Sequence, residues 1–285
     1  MKKIEGILEV QGGNVWYEVV GEGQEVPLIV LHGGPGYPHD SLEPLEDLAN
    51  ERKVIFYDQL GCGNSKRTTD KSLWTVEHFV KELEQLIKSL KLTKYHIIGH
   101  SWGSALAVAF ALTKPNGLQS LILTDPYIST PQWDKDAKRL IDKMPIAMQK
   151  VLKEGKIESE TYQEASMEYY YRHVYRFKKF PIACVKASNK MNRELYGYMW
   201  GPEEFKASGT LKDLDFIPLL QEIKVPVLLL CGRFDEATPE ALEFYKTKLP
   251  KGQMKVFEDS AHFPFYTERK AYITTVRKFL REFHA

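Results

Sequence analysis

The chain has 285 residues, of which 43% are hydrophobic and 27% charged. That is enough to bury a full core as one large domain, or as one domain carrying an insertion. Its 39 basic and 38 acidic residues leave a formal charge of +1 with no long block of one sign, which excludes a field able to hold nucleic acid or an anionic membrane. No apolar run approaches the ~18 residues that would cross a bilayer, and Met1 to Gly6 lacks the apolar segment of a signal peptide. A cytoplasmic, monomeric protein is expected. Cys62, Cys184 and Cys231 are scattered, odd in number and without CxxC spacing, so neither a disulfide framework nor a zinc site is expected.

In chain order, strand-like runs fall at Gly6 to Val10, Val15 to Val20, Pro27 to His32, Lys53 to Asp58, Tyr95 to Ile98, Ser120 to Thr124, Val225 to Cys231 and Met254 to Phe257. From the third onward they are short, rich in Val, Ile and Leu, and not alternating, the pattern of buried parallel strands. Helical periodicity separates several of them, as at Thr75 to Leu90 and Lys270 to Phe283. Alternation of this kind predicts an α/β fold: a mostly parallel, eight-stranded sheet flanked by helices. After Asp125-Pro126 the alternation stops, and ~100 residues of helical character without a defensible strand follow before Val225. The expected division is therefore a core of residues 1–126 and 211–285 with an inserted helical cap over 127–210.

The chemistry begins at Gly99-His-Ser-Trp-Gly103, between the run Tyr95 to Ile98 and the small-residue stretch Ala105 to Leu112. A G-x-S-x-G sequence placed between a strand and a helix predicts a nucleophile elbow with Ser101 projecting from the turn. A serine hydroxyl attacks only when a base takes its proton and a third group holds that base. Late in the chain, Asp235 emerges just past Val225 to Cys231 and His262 follows Met254 to Phe257, which gives the order Ser, Asp, His at the carboxyl edge of the sheet. Asp125 competes for the place of the acid; Asp235 ranks above it because Gly232-Arg-Phe-Asp gives the longer loop. Oxyanion donors are expected from the backbone N–H groups of Gly34, in His32-Gly-Gly-Pro-Gly36, and of Trp102. Asp58-Gln-Leu-Gly-Cys-Gly-Asn-Ser65 lacks the helix-opening context of a dinucleotide loop and is expected to buttress the catalytic loops. The eight histidines show no HExxH spacing, so neither a metal nor a cofactor is expected.

Together, His-Gly-Gly-Pro-Gly, Asp-Gln-Leu-Gly-Cys-Gly-Asn-Ser, Gly-His-Ser-Trp-Gly and Gly-Arg-Phe-Asp-Glu-Ala-Thr-Pro resemble the proline iminopeptidases, serine aminopeptidases of the α/β-hydrolase fold. The segment beginning Trp200-Gly-Pro-Glu-Glu-Phe is most similar to the archaeal tricorn-interacting aminopeptidases. The chain departs from that pattern at Ser104, usually Gly, and at His100, often Gln. The resemblance implies a serine exopeptidase that releases N-terminal residues, preferably proline, from short peptides through an acyl-enzyme. It further implies that Glu204 and Glu236 bind the substrate's α-amine. From the residues alone, Glu236 is near the site because it adjoins Asp235, whereas Glu203 is as good a candidate as Glu204. The aromatics Tyr162, Tyr169, Tyr170, Tyr171, Tyr175, Phe177, Tyr196, Tyr198 and Trp200 could wall a slot for a small apolar ring, none singled out. An esterase or amino-acid amidase with the same triad is the alternative enzyme, and a non-catalytic hydrolase-fold receptor the alternative outside catalysis.

Overall fold

The computed structural model describes residues 1–283. Eight strands form one sheet: β1 (Lys3–Val10), β2 (Gly13–Val20), β3 (Glu25–Leu31), β4 (Arg52–Tyr57), β5 (Tyr95–His100), β6 (Leu118–Thr124), β7 (Val227–Gly232) and β8 (Gly252–Phe257). Their spatial order is β1-β2-β4-β3-β5-β6-β7-β8. β1 and β2 form an antiparallel hairpin, β2 pairs antiparallel with β4, and every later pairing is parallel.

Among the described residues ten α-helices accompany the sheet: α1 (Val76–Ser89), α2 (Trp102–Leu112), α3 (Thr130–Ile141), α4 (Ile146–Glu154), α5 (Glu160–His173), α6 (Ile182–Lys190), α7 (Arg193–Met199), α8 (Pro239–Lys248), α9 (Pro264–Thr267) and α10 (Arg269–Arg281). The Thr75 hydroxyl caps α1 by accepting from the His78 amide at 3.1 Å, which satisfies one of the donors a helix start leaves free. α2 is apolar on nearly every side and buried almost throughout, as a helix wedged between the sheet and its neighbours must be. One face of the sheet buries Ile29, Ile55, Ile97 and Leu121 against α1, α2 and α8; the other buries Leu28, Val30, Val54 and Ile122 against residues 39–48 and α10. None of the helices is long and apolar enough to cross a membrane, among the described residues.

One strand differs from its expectation. β8 alternates between exposed and half-buried positions along most of its length, because it is the last strand of the sheet and has a neighbour on one side only. Its sequence resembled a buried strand because its apolar residues, Met254, Val256 and Phe257, crowd the end that approaches the site.

α3 to α7 all lie between β6 and β7. An isolated antiparallel bridge, Ser129 to Asp215, ties the two stems of this segment together. Ala137, Leu140, Ile141, Leu152, Tyr162, Ala165, Tyr169 and Phe205 form a small apolar cluster within it, separate from the two sheet faces.

Candidate active site

The turn from β5 into α2 places Ser101 at φ 54°, ψ −119°, a conformation that costs a non-glycine residue of order 1–3 kcal/mol and persists only where its surroundings enforce it. Here the Ser101 amide donates to the Thr124 carbonyl at 3.0 Å, and the Ser101 carbonyl accepts from the amides of Ser104 (2.8 Å) and Tyr127 (3.3 Å). A Cβ on Gly103 would meet the Leu31 and His32 backbone, and one on Gly99 would meet Gly103. Only glycines let strand, turn and helix pack this closely. Ser104 exploits the same tight turn, its hydroxyl donating to the Gly99 carbonyl at 2.7 Å.

His262 and Asp235 arrive from the loops after β8 and β7. The His262 Nδ1 lies 2.7 Å from Asp235 Oδ1, with both groups buried. A carboxylate only accepts, so Nδ1 carries the hydrogen and Nε2 keeps its lone pair. The Ala237 amide also donates to Asp235 Oδ1, at 3.0 Å. Asp125 is buried beside Asp235, but its Oδ2 accepts from the Thr124 hydroxyl at 2.8 Å and makes no bond to His262. The group that orients the histidine is thus Asp235.

His100 supplies a contact whose partner the sequence left open. Its Nε2 lies 2.9 Å from the His262 carbonyl oxygen, so Nε2 carries the hydrogen and donates. Burial, and then the neighbouring His262, push the His100 ring's pKa well below its ordinary value, which keeps it neutral.

Ser101 and His262 line a cavity of about 480 Å³ together with Gly33, Gly34, Glu204 and Glu236. Asp235 and Trp102 do not line it; they stand behind it. The Trp102 indole points into the core and donates to Gln59 Oε1 at 2.9 Å, while its backbone N–H, as the first of α2, has no partner inside that helix. Gln59 is held in turn by its backbone N–H donating to His32 Nε2 at 3.0 Å. The next amide, Leu60, donates to Glu82 Oε2 at 3.0 Å. The loop over residues 58–65 thereby braces both the turn after β3 and the start of α2, and the Asn192 side chain ties it to α7 by donating to the Gly61 carbonyl at 2.7 Å.

Glu204 and Glu236 bring two carboxyl groups to the lining of the same cavity. Burial raises the pKa of both, and for Glu236 the charges of Glu204 and Asp235 push in the same direction, well above the ordinary carboxylate range. Both Glu236 oxygens, and the Tyr169 hydroxyl beside them, are buried without a well-formed hydrogen bond. Glu204 accepts from the Tyr196 hydroxyl at 2.5 Å. Glu203 faces elsewhere and takes the Tyr162 hydroxyl, so the structure separates two neighbours that the sequence left equal.

Of the aromatics that could form a slot, Tyr170, Tyr175 and Tyr196 line the cavity, joined by Tyr37 and Phe263. Trp200 packs edge-on with Trp133 and Tyr127, Tyr198 packs against Trp74, and Tyr171 points to solvent. Tyr37, Val174 and Phe263 were not singled out from sequence; only the adjacency of Phe263 to His262 was a usable signal.

The profile of the alpha/beta hydrolase fold family matches residues 26–269. A proline iminopeptidase of Heyndrickxia coagulans is 44% identical over 283 residues, covering 97% of this chain and 98% of its own. The chain belongs to the proline iminopeptidase family of α/β-hydrolases. Another family member, from Clostridium botulinum, is 36% identical over 99% of both chains. The crystal structure of the Mycobacterium smegmatis proline iminopeptidase superposes with a TM-score of 0.93 at 32% identity, covering 99% of each chain.

Proposed function

We propose that this family member is a serine aminopeptidase that releases the N-terminal residue, preferably proline, from short peptides. In the proposed cycle His262 Nε2 takes the proton of Ser101, Asp235 holds the imidazole and offsets the charge it gains, and Ser101 Oγ attacks the first carbonyl of the substrate. The N–H groups of Gly34 and Trp102 receive the oxyanion, an arrangement in which each donor is typically worth 10²–10³ in rate. His262 then protonates the departing amine, and water, deprotonated by the same nitrogen, releases the acyl group. Side chains and water supply every proton in this scheme.

The observation that carries the reading is the pair Glu204 and Glu236 in the same cavity as Ser101 and His262. Two buried carboxyl groups without a cation are costly, and a substrate ammonium satisfies both. An ester lacking an amine gains nothing from them. The ring of an N-terminal proline is compact and apolar, which suits walls made of Tyr170, Val174, Tyr175 and Phe263. We treat residues 127–210 as the cap that closes the cavity to internal peptide segments and admits chain ends. Three cysteines, all buried and unpaired, suit a reducing compartment such as the cytoplasm.

The test is Glu204→Gln and Glu236→Gln, assayed on a prolyl naphthylamide and on its N-acetylated form. Each variant is expected to lose ~10²-fold or more in kcat/KM on the free amine, the scale of a charge-assisted hydrogen bond lost in a buried site. Activity on the acetylated form is expected to stay near its low starting value. Equal losses on both substrates would show that the glutamates do not read the amine, and hydrolysis of aliphatic esters in preference to prolyl amides would identify an esterase.

A further inference from the structure

Beneath the catalytic histidine a second carboxyl group meets the first. Asp125 follows β6 with φ 50° and is fully buried, and its carboxyl lies within hydrogen-bonding reach of that of Asp235. One oxygen of Asp125, one of Asp235 and a ring nitrogen of His262 all fall within 4.8 Å of one another. Most of the polar atoms here have partners: Asp125 Oδ2 takes the Thr124 hydroxyl, and Asp235 Oδ1 takes His262 Nδ1 and the Ala237 amide. Two do not. Asp125 Oδ1 and Asp235 Oδ2 are buried without a well-formed hydrogen bond.

Two ionised carboxylates sharing a buried site repel strongly, and the usual outcome is that one retains its proton. A single hydrogen between the two orphan oxygens removes both defects. We propose that Asp125 stands as a neutral carboxylic acid and donates a hydrogen bond to Asp235 Oδ2, making it a positioning residue for the triad acid. The proposal rests on Asp235 being that acid.

The surroundings decide which group holds the proton. Asp235 receives two N–H donors on Oδ1, which a carboxylate accepts, whereas Asp125 receives the Thr124 hydroxyl and faces the Gly232 amide. Within 4.0 Å, the only basic side chain near Asp125 among the described residues is His100, 3.9 Å away, and its Nε2–H is committed to the His262 carbonyl. His100 is held neutral. From β7 and α10, Cys231 and Tyr272 also feel Asp125, and burial pushes both of their pKa values up, so neither brings a charge. Burial and the Asp235 charge together raise the acid of Asp125 well above its ordinary range. The pair thus presents one negative charge to His262, and the hydrogen bond from Asp125 stops Asp235 from turning its free oxygen toward the imidazole.

The decisive variant is Asp125→Asn, which mimics the protonated acid in shape, charge and donor. Its kcat/KM on a prolyl amide is expected to remain within ~3-fold of the parent, with the acidic limb of the pH profile unmoved. If Asp125 were ionised, Asn would delete a buried negative charge beside His262, and that limb would fall by about one pH unit or more; such a fall overturns the proposal. Asp125→Leu, which keeps bulk but removes the donor, is expected to lower kcat by ~10-fold with KM unchanged. Independently of activity, the infrared difference between parent and Asp125→Asn at neutral pH should contain the carbonyl stretch of a protonated carboxylic acid. Its absence sinks the proposal even if Leu does not fold, yet leaves the triad reading intact, whereas that reading fails separately if Ser101→Ala retains activity.

Discussion

Replacing Glu82 by Gln tests how far burial controls the charge of a group that supports the site from below. Glu82 is buried on α1; its Oε2 accepts the Leu60 amide at 3.0 Å, its Oε1 has no partner, and the His78 Nε2 is 4.0 Å away. Burial pushes its pKa up to about 8, from an ordinary 4.5. Between those two values the native protein keeps a proton that the unfolded chain has lost, so stability falls as pH rises through that window. At ~1.4 kcal/mol for each pH unit separating the two states, the loss has a ceiling of ~5 kcal/mol once pH 8 is passed. Gln keeps the carbonyl that accepts from Leu60 and cannot ionise, so the variant escapes the loss. Urea unfolding followed by tryptophan fluorescence should find the two proteins closely matched near pH 5. By pH 8 the variant should be the more stable by ~2 kcal/mol or more, within that ceiling. A difference that stays constant to ~0.5 kcal/mol from pH 5 to 8 would refute the reasoning, since Glu82 would then ionise as easily in the native protein as in the unfolded one.

Asp235→Asn keeps the shape of the acid but lets the imidazole adopt the wrong tautomer; kcat on a prolyl amide should fall by ~10⁴ with little change in KM. Tyr196→Phe removes the hydroxyl that Glu204 accepts and should raise KM for free-amine substrates by ~5-fold, leaving N-acetylated substrates unaffected, when initial rates are compared. Gly103→Ala drives a methyl group into the backbone of Leu31 and His32; circular dichroism and soluble yield should show a protein that fails to fold or loses several degrees of Tm.

The parts of this molecule most legible in its sequence are those where local pattern and chemistry coincide. Gly99 and Gly103 announce the turn because a Cβ at either would run into backbone, and the order of Ser101, Asp235 and His262 follows from loops that leave β5, β7 and β8 at one edge. The wall of the cavity was far less legible. The nine aromatics named as candidates for that wall have similar sequence surroundings, and the packing of α5, α6 and α7 decides that Tyr170 faces inward while the adjacent Tyr171 faces water. Glu203 and Glu204 could be told apart only when Tyr162 and Tyr196 took one each. β8 reads as interior because hydrophobicity reports composition, not how many neighbours a strand has. Asp125 could be seen as a rival acid but not as a partner, because carboxyl pairing is a matter of atoms that sequence places far apart.

The bond from His100 to the His262 carbonyl joins the residue before the nucleophile directly to the main chain of the base. Those two loops leave strands separated by β6 and β7, and this short strut spans the gap between them. The proposed proton donor and acceptor are therefore fastened to one chassis. A relative shift of the loops after β5 and β8 would have to break that bond first, so the span of the proposed relay from Ser101 to His262 is held from beneath.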